Sequence, residues 1–374
     1  MRVCYFGTYR SGYARNQILI EGLRRNGVEV VECHETLWYG TEDRVEATLG
    51  GWRSPKFWWR VLKTYARLIR RHRICDYDIM VVGYPGQFDV YLARLLTWLR
   101  RKPLVWDIFM SIYLIALERN LHSRSPFTVA ALRKIEKLAC QLPEMLILDT
   151  QDYVVWFGET HQIPSSRFRL VPTGADDRVF YQRREMNAPS HQLQVMYHGS
   201  FIPNHGVKCI IDAARLLAGE RHIHFTLIGD GPERELAETA ARDHRLPNVT
   251  FTGWLDKEAL VQHLSAADIC LGVFGDTPQS LMTVQNKIYE CLAMGIPMIT
   301  GDSPAIRRDF LHMEHVYLCR RGDAQALADA ILRLISEPSL RTHLSTSGHE
   351  LFIKRFTTSR LGQQFHSYIN EIIH

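Results

Sequence analysis

Several patterns that would point to common protein classes are missing from this 374-residue sequence. No apolar run reaches the roughly 18 residues of a membrane-spanning helix. The chain opens with a strand-like run instead of a secretory signal, so we expect a cytoplasmic protein. The eight cysteines are scattered without a C-x-x-C pair, which argues against a zinc site or a disulfide framework. No G-x-G-x-x-G fingerprint follows a strand, which argues against a nicotinamide-dependent dehydrogenase.

Positive charge is concentrated in the first half of the chain. Residues 1–174 carry 25 lysines and arginines against 17 aspartates and glutamates, whereas residues 175–374 carry 20 against 23. A basic surface of this kind favours an anionic partner for the first half. No pattern indicates nucleic acid as that partner.

Strand-like and helix-like segments alternate along the whole chain, which predicts an α/β protein with parallel sheets and crossover helices. The alternation breaks near residues 171–192 and then restarts. We therefore expect two Rossmann-like domains, at 1–172 and 173–355, and a closing helix at 356–374 that crosses back to the first. Ligands bind beyond the carboxyl ends of such strands, so the predicted site is a central cleft that both domains face.

Four stretches of the second half carry a resemblance to a known family. They are YHGSFIPNHGVKCIIDAARLL, LIGDGPEREL, VTFTGWLDKEALVQHLSAADICL and NKIYECLAMGIPMITGD. In this order and spacing they resemble the nucleotide-sugar-binding half of the retaining glycosyltransferases of family 4, of the group 1 type, which have the GT-B fold. The resemblance covers at least residues 195–308. It implies a donor-binding second domain and an acceptor-binding first domain.

Glu290 stands in an otherwise apolar helix and has two interpretations. In the first turn of a helix a carboxylate is favoured by the helix dipole alone. The resemblance implies instead that Glu290 accepts hydrogen bonds from the ribose hydroxyls of the donor. The backbone amides before it, from Val284 through Gln285 and Asn286 to Lys287, would then bind the donor diphosphate.

The sequence departs from the family at several donor-binding positions. Where the family carries an arginine and a lysine that face the pyrophosphate, this chain has Ser200 and His205. We expect Lys287 to supply the missing positive charge, with His205 either beside it or an ordinary surface residue. A second family glutamate is replaced by Met282, which leaves Gln279 or Gln285 to contact the donor sugar. The other implied donor contacts are Gly199, Gly229, Asp230, Trp254 and Leu255.

The first domain offers a glycine loop and one carboxylate. The loop at residues 8–15 is expected to face the diphosphate, with Gly12 allowing close approach of the backbone and Arg15 adding charge. Asp107 ends a buried strand, so we expect it to point into the cleft. There it would bind hydroxyls or assist removal of the acceptor proton, unless it serves as a helix cap or a satisfied loop residue.

No metal ion or other cofactor is expected. The D-x-D of CDYDIM precedes its strand at the amino end, which is typical of a solvated loop. The developing charge of the leaving diphosphate would instead be stabilised by helix-end amides, Lys287 and His205. These two residues and Asp107 are the predicted catalytic residues.

A basic amphipathic segment, Trp52–Arg73, is the remaining feature. Its basic residues at 53, 56, 60, 63, 67 and 70 fall on one helical face, and the rest is rich in tryptophan and phenylalanine. Such helices lie on anionic membrane surfaces. The alternative is a crossover helix that packs on its own sheet and leaves a basic face in water.

The sequence thus predicts a retaining glycosyltransferase of hexosyltransferase type, acting in glycan or glycoconjugate biosynthesis. It would move a sugar from a nucleoside diphosphate sugar to a hydroxyl of a saccharide or lipid-linked acceptor, as a peripheral protein of the inner membrane face. Two alternatives stay open. One is a nucleotide-sugar 2-epimerase of the same fold. The other is a membrane-docked, non-catalytic nucleotide-sugar-binding protein, suggested by Met282, Ser200 and His205.

Overall fold

A computed structural model describes residues 1–37, 54–182 and 192–373 of the chain. The chain divides into two compact units. Unit 1 contains Met1–Pro172 and Thr358–His374, and unit 2 contains Thr173–Thr357. The closing helix of the chain therefore belongs to the unit in which the chain began.

Unit 1 is built on a parallel six-stranded sheet with the order β2-β1-β3-β4-β5-β6. Every residue of β3, β4 and β5 is buried, as expected for strands covered on both faces. Its strands are β1 (Arg2–Gly7), β2 (Glu29–His34), β3 (Ile79–Val82), β4 (Leu104–Asp107), β5 (Met145–Leu148) and β6 (Phe168–Leu170). Its helices are α1 (Ala14–Arg25), α2 (Pro55–Ile74), α3 (Asp89–Arg100), α4 (Ile112–Glu118), α5 (Leu121–Arg124), α6 (Pro126–Ala139), α7 (Gln151–His161) and the closing α16 (Thr358–Ile373).

Helix α16 packs closely against α1. A Cβ atom at Gly22 would lie 2.8 Å from the Cα of Gly362 and 2.6 Å from the carbonyl oxygen of Thr358. Only glycine permits this approach of two backbones. Leu361 and Phe365 of α16 are fully buried in the same core as the strands and α1.

Unit 2 repeats this architecture with the order β12-β11-β10-β7-β8-β9. The predicted alternation of strands and helices is confirmed in both units. The strands are β7 (Leu193–His198), β8 (Ile223–Ile228), β9 (Val249–Phe251), β10 (Ile269–Leu271), β11 (Met298–Gly301) and β12 (Tyr317–Cys319). The helices are α8 (Val207–Leu216), α9 (Arg234–Asp243), α10 (Lys257–Ser265), α11 (Pro278–Met282), α12 (Asn286–Ala293), α13 (Pro304–Asp309), α14 (Ala324–Ser336) and α15 (Pro338–Arg355).

The strand order of unit 2 reverses direction between β7 and β10. From β7 the chain moves outward through β8 and β9, and it then returns to the other side of β7 to form β10. At such a switch point the connections diverge and leave a crevice beyond the carboxyl ends of the two strands. Helix α12, which follows β10, carries the residues predicted to bind the donor.

Candidate functional site

The candidate site lies where β7 ends and α12 begins. His198 is the last residue of β7, and Gly199 and Ser200 follow it directly. Helix α12 starts at Asn286, and the side chain of its N-cap residue, Gln285, makes no capping hydrogen bond. The helix thus begins with backbone amides that no side chain caps, which is the arrangement that binds anions.

Lys287, in the first turn of α12, is a buried cation. Its residue is 4% exposed, and its Nζ lies 3.9 Å from the centroid of the Tyr197 ring and 3.4 Å from Nδ1 of His205. Burial lowers the pKa of Lys287 to about 7, and the nearby Glu290 carboxylate opposes that shift. An ammonium held so far from water gains strongly from an anionic ligand.

His205 stays neutral beside this lysine. Burial and, after it, the charge of Lys287 lower the pKa of His205 well below its usual value. Its Nδ1 lies 2.7 Å from the carbonyl oxygen of Ser200, which fits the tautomer with the proton on Nδ1. Ser200 therefore acts through its backbone, and Nε2 of His205 is left as an acceptor.

Two glycines allow the loops after β7 and β8 to approach this lysine. Gly199 has φ of 132°, and a Cβ there would lie 2.9 Å from Nζ of Lys287. Gly229 has φ of 136°, and its Cβ would lie 2.0 Å from the carbonyl oxygen of Gly199. Both positions thus require glycine for backbone conformation and for space.

Glu290 is paired with His198. The distance from His198 Nε2 to Glu290 Oε2 is 2.8 Å, and the two side chains are 6% and 15% exposed. The expectation that Glu290 stands in the first turn of its helix is wrong, because α12 begins at Asn286 and its first turn holds no acidic residue. The dipole interpretation therefore loses its basis, since that effect falls off within the first turn.

Two buried polar atoms at this site have no hydrogen-bond partner within the described ranges. They are Nδ1 of His198 and Oε1 of Gln285. Buried polar atoms are paired in the great majority of native structures. Their position beside Lys287 and Glu290 is consistent with a polar ligand. Sequence reasoning missed His198, although its place at the end of a buried switch-point strand was a usable signal.

The other predicted donor residues differ in their exposure and in their hydrogen bonds. Asp230 accepts a hydrogen bond from the amide of Gly231 and lies 3.6 Å from Arg234. Trp254 is 64% exposed and Leu255 is partly buried. Val284 is buried among the apolar residues of unit 2, so that only its backbone is open to a role in binding.

Asp107 and Arg15 of unit 1 differ from expectation. They were predicted to face a ligand, but neither side chain has any exposed surface. Arg15 Nη2 lies 2.8 Å from Asp107 Oδ1, and its Nε lies 3.0 Å from Oδ2. The Nη1 atom donates to the carbonyls of Val171 and Pro172. Two charges withdrawn from water pair with each other, because neither is stable there alone. Gly12 is exposed, and a Cβ there would meet no atom within 4 Å.

The D-x-D aspartates are bound by a cation of their own unit. Arg2 Nη1 lies 2.8 Å from Asp76 Oδ2, and the Arg2 amide lies 2.8 Å from Asp78 Oδ2. Across residues 1–37, 54–182 and 192–373, no three histidine, cysteine, aspartate or glutamate side chains are grouped so as to hold a metal ion. In the same ranges no helix combines the length and the apolar composition needed to cross a membrane.

The chain is similar in sequence and in fold to known glycosyltransferases. Residues 192–337 match the family of Glycosyl transferases group 1. The chain is 29% identical over 186 residues to the lipopolysaccharide core biosynthesis glycosyltransferase LpsE of Rhizobium meliloti, covering 50% of this chain and 52% of that protein. It is 24% identical over 342 residues to alpha-D-kanosaminyltransferase of Streptomyces kanamyceticus, covering 87% and 84%. Sucrose-phosphate synthase from Thermosynechococcus elongatus has a TM-score of 0.74 at 17% identity, covering 99% and 98%.

The chain therefore has the GT-B fold, and residues 192–337 of its second unit are similar to a glycosyl transferases group 1 domain. Lys287, His205, His198 and Glu290 all fall inside the matched residues 192–337. The alignment with LpsE spans about half of that protein's length. What LpsE does as a whole protein is thus not carried over by the alignment alone.

Proposed function

We propose that this chain is a retaining glycosyltransferase of hexosyltransferase type. It would move a sugar from a nucleoside diphosphate sugar to an acceptor hydroxyl without a metal ion. The observation that carries this proposal is the convergence of buried Lys287, the open amides of α12 and Glu290 inside a glycosyl transferases group 1 domain. A cation and amides suit a diphosphate, and a carboxylate suits the ribose diol next to it.

Lys287 is the group best suited to the leaving diphosphate. With a pKa of about 7, the lysine is partly neutral before the donor binds, and the diphosphate favours its protonated form. During transfer the bond from the anomeric carbon to the diphosphate oxygen breaks, and its electron pair stays on the diphosphate. The acceptor oxygen attacks from the same face, and its proton passes to a diphosphate oxygen. Lys287 and the α12 amides stabilise the charge that develops there.

Glu290 and His198 would act together on the ribose. With Nε2–H of His198 donating to one carboxylate oxygen, the other oxygen remains for a ribose hydroxyl. The unpaired Nδ1 of His198 is then a second acceptor within the same site. His198 is thus a positioning residue for Glu290.

The acceptor is proposed from the names of the relatives. LpsE is a lipopolysaccharide core biosynthesis glycosyltransferase, and alpha-D-kanosaminyltransferase is named for transfer of an amino sugar. A saccharide or lipid-linked hydroxyl in glycan or glycoconjugate biosynthesis is the corresponding acceptor class. The comparisons do not favour a 2-epimerase or a non-catalytic binding protein.

We further propose that unit 1 docks on the inner face of a cytoplasmic membrane through α2. Trp52 and Arg53 of the predicted segment lie outside the described residues. In the rest, Lys56, Lys63 and Arg70 are exposed, and Trp58 and Trp59 are 52% and 71% exposed. Helix α2 buries only Thr64, Leu68 and His72. Exposed tryptophans beside basic residues suit the headgroup region of an anionic bilayer.

Thermal-shift measurements with UDP, GDP, ADP and dTDP test the donor site, because a ligand of the native state raises its stability by mass action. We expect one nucleotide to stabilise the chain, and expect Lys287→Met to abolish that shift. Lys208→Met is the matched control, since Lys208 is an exposed lysine of the same unit. The corresponding nucleotide sugar should then be turned over with an acceptor. Epimerisation of the donor without an acceptor, or binding without any turnover, would overturn the proposal.

A further inference from the structure

Asp149 of unit 1 is a buried carboxylate to which no residue of the described ranges donates a hydrogen bond. It follows β5 directly and is 4% exposed. Neither of its carboxylate oxygens has a hydrogen-bond partner among the described residues. Its own amide and that of Thr150 lie near enough to lower its pKa, but neither makes a hydrogen bond of normal geometry. An unpaired carboxylate held away from water is costly, and such a group calls for an explanation.

Capping of the following helix does not explain Asp149. Helix α7 begins at Gln151, and its N-cap residue is Thr150. The Thr150 side chain accepts the hydrogen bond from the amide of Tyr153 that a cap supplies. Asp149 therefore precedes the cap and adds nothing to it.

Pairing with the neighbouring arginine does not explain Asp149 either. Arg15 is the cation that most favours its ionised form, but all three nitrogens of that guanidinium already donate to Asp107 or to the carbonyls of Val171 and Pro172. Burial raises the pKa of Asp149 to about 7, with the charge of Asp107 adding to the shift and that of Arg15 opposing it. The charge of Asp149 also acts on Tyr13, whose pKa it helps to raise. Asp107 and Asp149 thus both lie near Arg15, but only Asp107 accepts hydrogen bonds from it.

The backbone beside this cluster is strained. Phe109 follows β4 by two residues and has φ of 58°, a left-handed conformation that is unfavourable for a bulky side chain. Its ring centroid lies 5.3 Å from Cζ of Arg15. Strain of this kind persists where the surrounding structure enforces it, and it concentrates at ligand sites.

The cluster occupies the edge of the sheet at which ligands bind. Asp107 ends β4 and Asp149 follows β5, and these two strands are neighbours in the parallel sheet. Their carboxyl ends therefore lie side by side. A carboxylate with two unpaired oxygens at this edge is suited to accept hydrogen bonds from one hydroxyl group or diol of a ligand that reaches it.

We propose that Asp149 binds a hydroxyl of the acceptor sugar, whereas the neighbouring Arg15–Asp107 pair is a structural ion pair. This inference rests on the proposed glycosyltransferase function. It reassigns the acceptor carboxylate of unit 1 from Asp107, which is already paired, to Asp149. The ligand class is a neutral polyhydroxylated acceptor.

The first test is folding stability, which needs no substrate. Because the native pKa of Asp149 is about 7 and the unfolded value is about 4, the native state holds the proton more tightly. Wild-type stability should therefore fall as pH rises from about 4 through 7. Asp149→Asn should lack this fall and be the more stable protein above pH 7 in urea unfolding. A variant that is less stable than wild type at pH 8 would give Asp149 a structural role and overturn the inference.

The second test is transfer to methyl glycosides of the common hexoses, with the nucleotide sugar identified by thermal shift. Asp149→Asn should raise the acceptor KM roughly ten- to a hundredfold, the value of a hydrogen bond to a charged group. Nucleotide affinity in unit 2 should not change. Wild-type acceptor KM should decrease as pH rises through about 7, and this dependence should vanish in the variant.

The outcomes separate this inference from the function on which it rests. If no nucleotide binds and no donor is turned over, the proposed function fails. If the donor is hydrolysed but every neutral glycoside is rejected, or if acceptor KM is the same in Asp149→Asn and wild type, only the role of Asp149 fails. Asp107→Asn serves as the comparison variant. It should lower stability, because it leaves Arg15 buried without its counter-charge.

Discussion

The carboxyl ends of the two sheets offer opposite charges in equivalent architecture. In unit 2 a buried amine, Lys287, lies beside the last residue of β7, and burial lowers its pKa to about 7. In unit 1 a buried carboxylate, Asp149, follows β5, and burial raises its pKa to about 7. The shared fold determines where each group sits, and the residue type determines which ligand it suits: an anion in unit 2 and a hydroxyl in unit 1.

The two units also differ in the exposed apolar residues and in the charge that they carry. Unit 1 exposes tryptophans on α2 and also on α3, where Trp98 is 67% exposed. Four further apolar residues of α3 and its N-cap are exposed at helical spacing, namely Phe88, Tyr91, Leu95 and Leu99. These exposed apolar residues and the excess of basic residues in the first half of the chain are consistent with the membrane docking proposed for unit 1. Unit 2 carries the acidic excess.

The largest effect is expected from removing the buried cation of unit 2. Lys287→Met should lower donor turnover by roughly two to three orders of magnitude, as loss of a preorganised charge-stabilising group does. Wild-type nucleotide affinity should weaken as pH rises above about 7, where the lysine loses its proton, and the variant should show no such dependence. Calorimetric titration between pH 6 and 9 measures the nucleotide affinity of wild type and of the variant. If Lys287→Met binds the nucleotide as tightly as wild type, Lys287 does not belong to the donor site.

The same substitution should act on folding in the opposite direction. The native pKa of Lys287 is about 7 and the unfolded value is 10.5, so the unfolded state binds more protons between these values. Wild-type stability should rise with pH over that range, and its penalty should be complete below pH 7. Lys287→Met should thus be more stable than wild type at pH 6, with the difference shrinking toward pH 10. Equal stability at pH 6 would mean that the amine is not buried.

The next prediction tests whether Glu290 and His198 act together in nucleotide binding. Glu290→Ala should weaken nucleotide binding roughly ten- to a hundredfold while the fold is kept. His198→Ala should cost less, because it removes only the group that orients the carboxylate. If His198 acts through Glu290, the double variant should bind as weakly as Glu290→Ala alone. Additive losses in this cycle would show that the two residues act independently.

Unit 1 can be tested through its helix contact. Gly22→Ala places a methyl group 2.8 Å from the Cα of Gly362 and should lower the stability of unit 1 by about 1–3 kcal/mol. Gly219→Ala is the control, because a Cβ there meets no atom within 4 Å. Urea unfolding measures both. Donor affinity should persist in Gly22→Ala, since Lys287 and Glu290 belong to unit 2, and its loss would tie the donor site to unit 1.

The smallest expected effect concerns the membrane. Each basic residue near an anionic bilayer contributes roughly 1 kcal/mol, so reversing Lys63 and Arg70 to glutamate should weaken binding to phosphatidylserine liposomes at least about tenfold at low salt. Reversing Lys208 and Lys354 of unit 2 should leave sedimentation unchanged. Arg67 is avoided because it lies 3.8 Å from Glu35. Wild-type protein that ignores anionic liposomes at low salt would leave α2 a solvated crossover helix.

Local patterns were enough to predict the strands, the helices and the α/β class. Buried parallel strands such as β3 and β5 are written as continuous apolar runs, and these are visible without a structure. The start of α12 was less visible. Asn286 is a preferred N-cap residue, but the N-cap is Gln285 and Asn286 already belongs to the helix, so Glu290 lies beyond the first turn.

Long-range pairing was beyond the reach of the sequence. Arg15 and Asp107 are 92 residues apart, as are His198 and Glu290, and no local spacing records either pair. The sequence contains two carboxylates at the ends of neighbouring strands. Which of the two carboxylates pairs with Arg15 depends on the side-chain geometry at α1, β4 and β5. For the same reason Asp149, the carboxylate left without a partner, was not recognised.

The return of α16 to unit 1 has a consequence for synthesis of the chain. Unit 2 is continuous from Thr173 to Thr357, so its fold requires no residue of the last helix. Unit 1 begins first but cannot finish until Thr358 and the residues after it have emerged. Until then the face of α1 at Gly22 lacks the helix that packs on it. Unit 1 is therefore completed after unit 2, and a chain truncated before Thr358 keeps every residue of unit 2 but lacks the helix that covers α1.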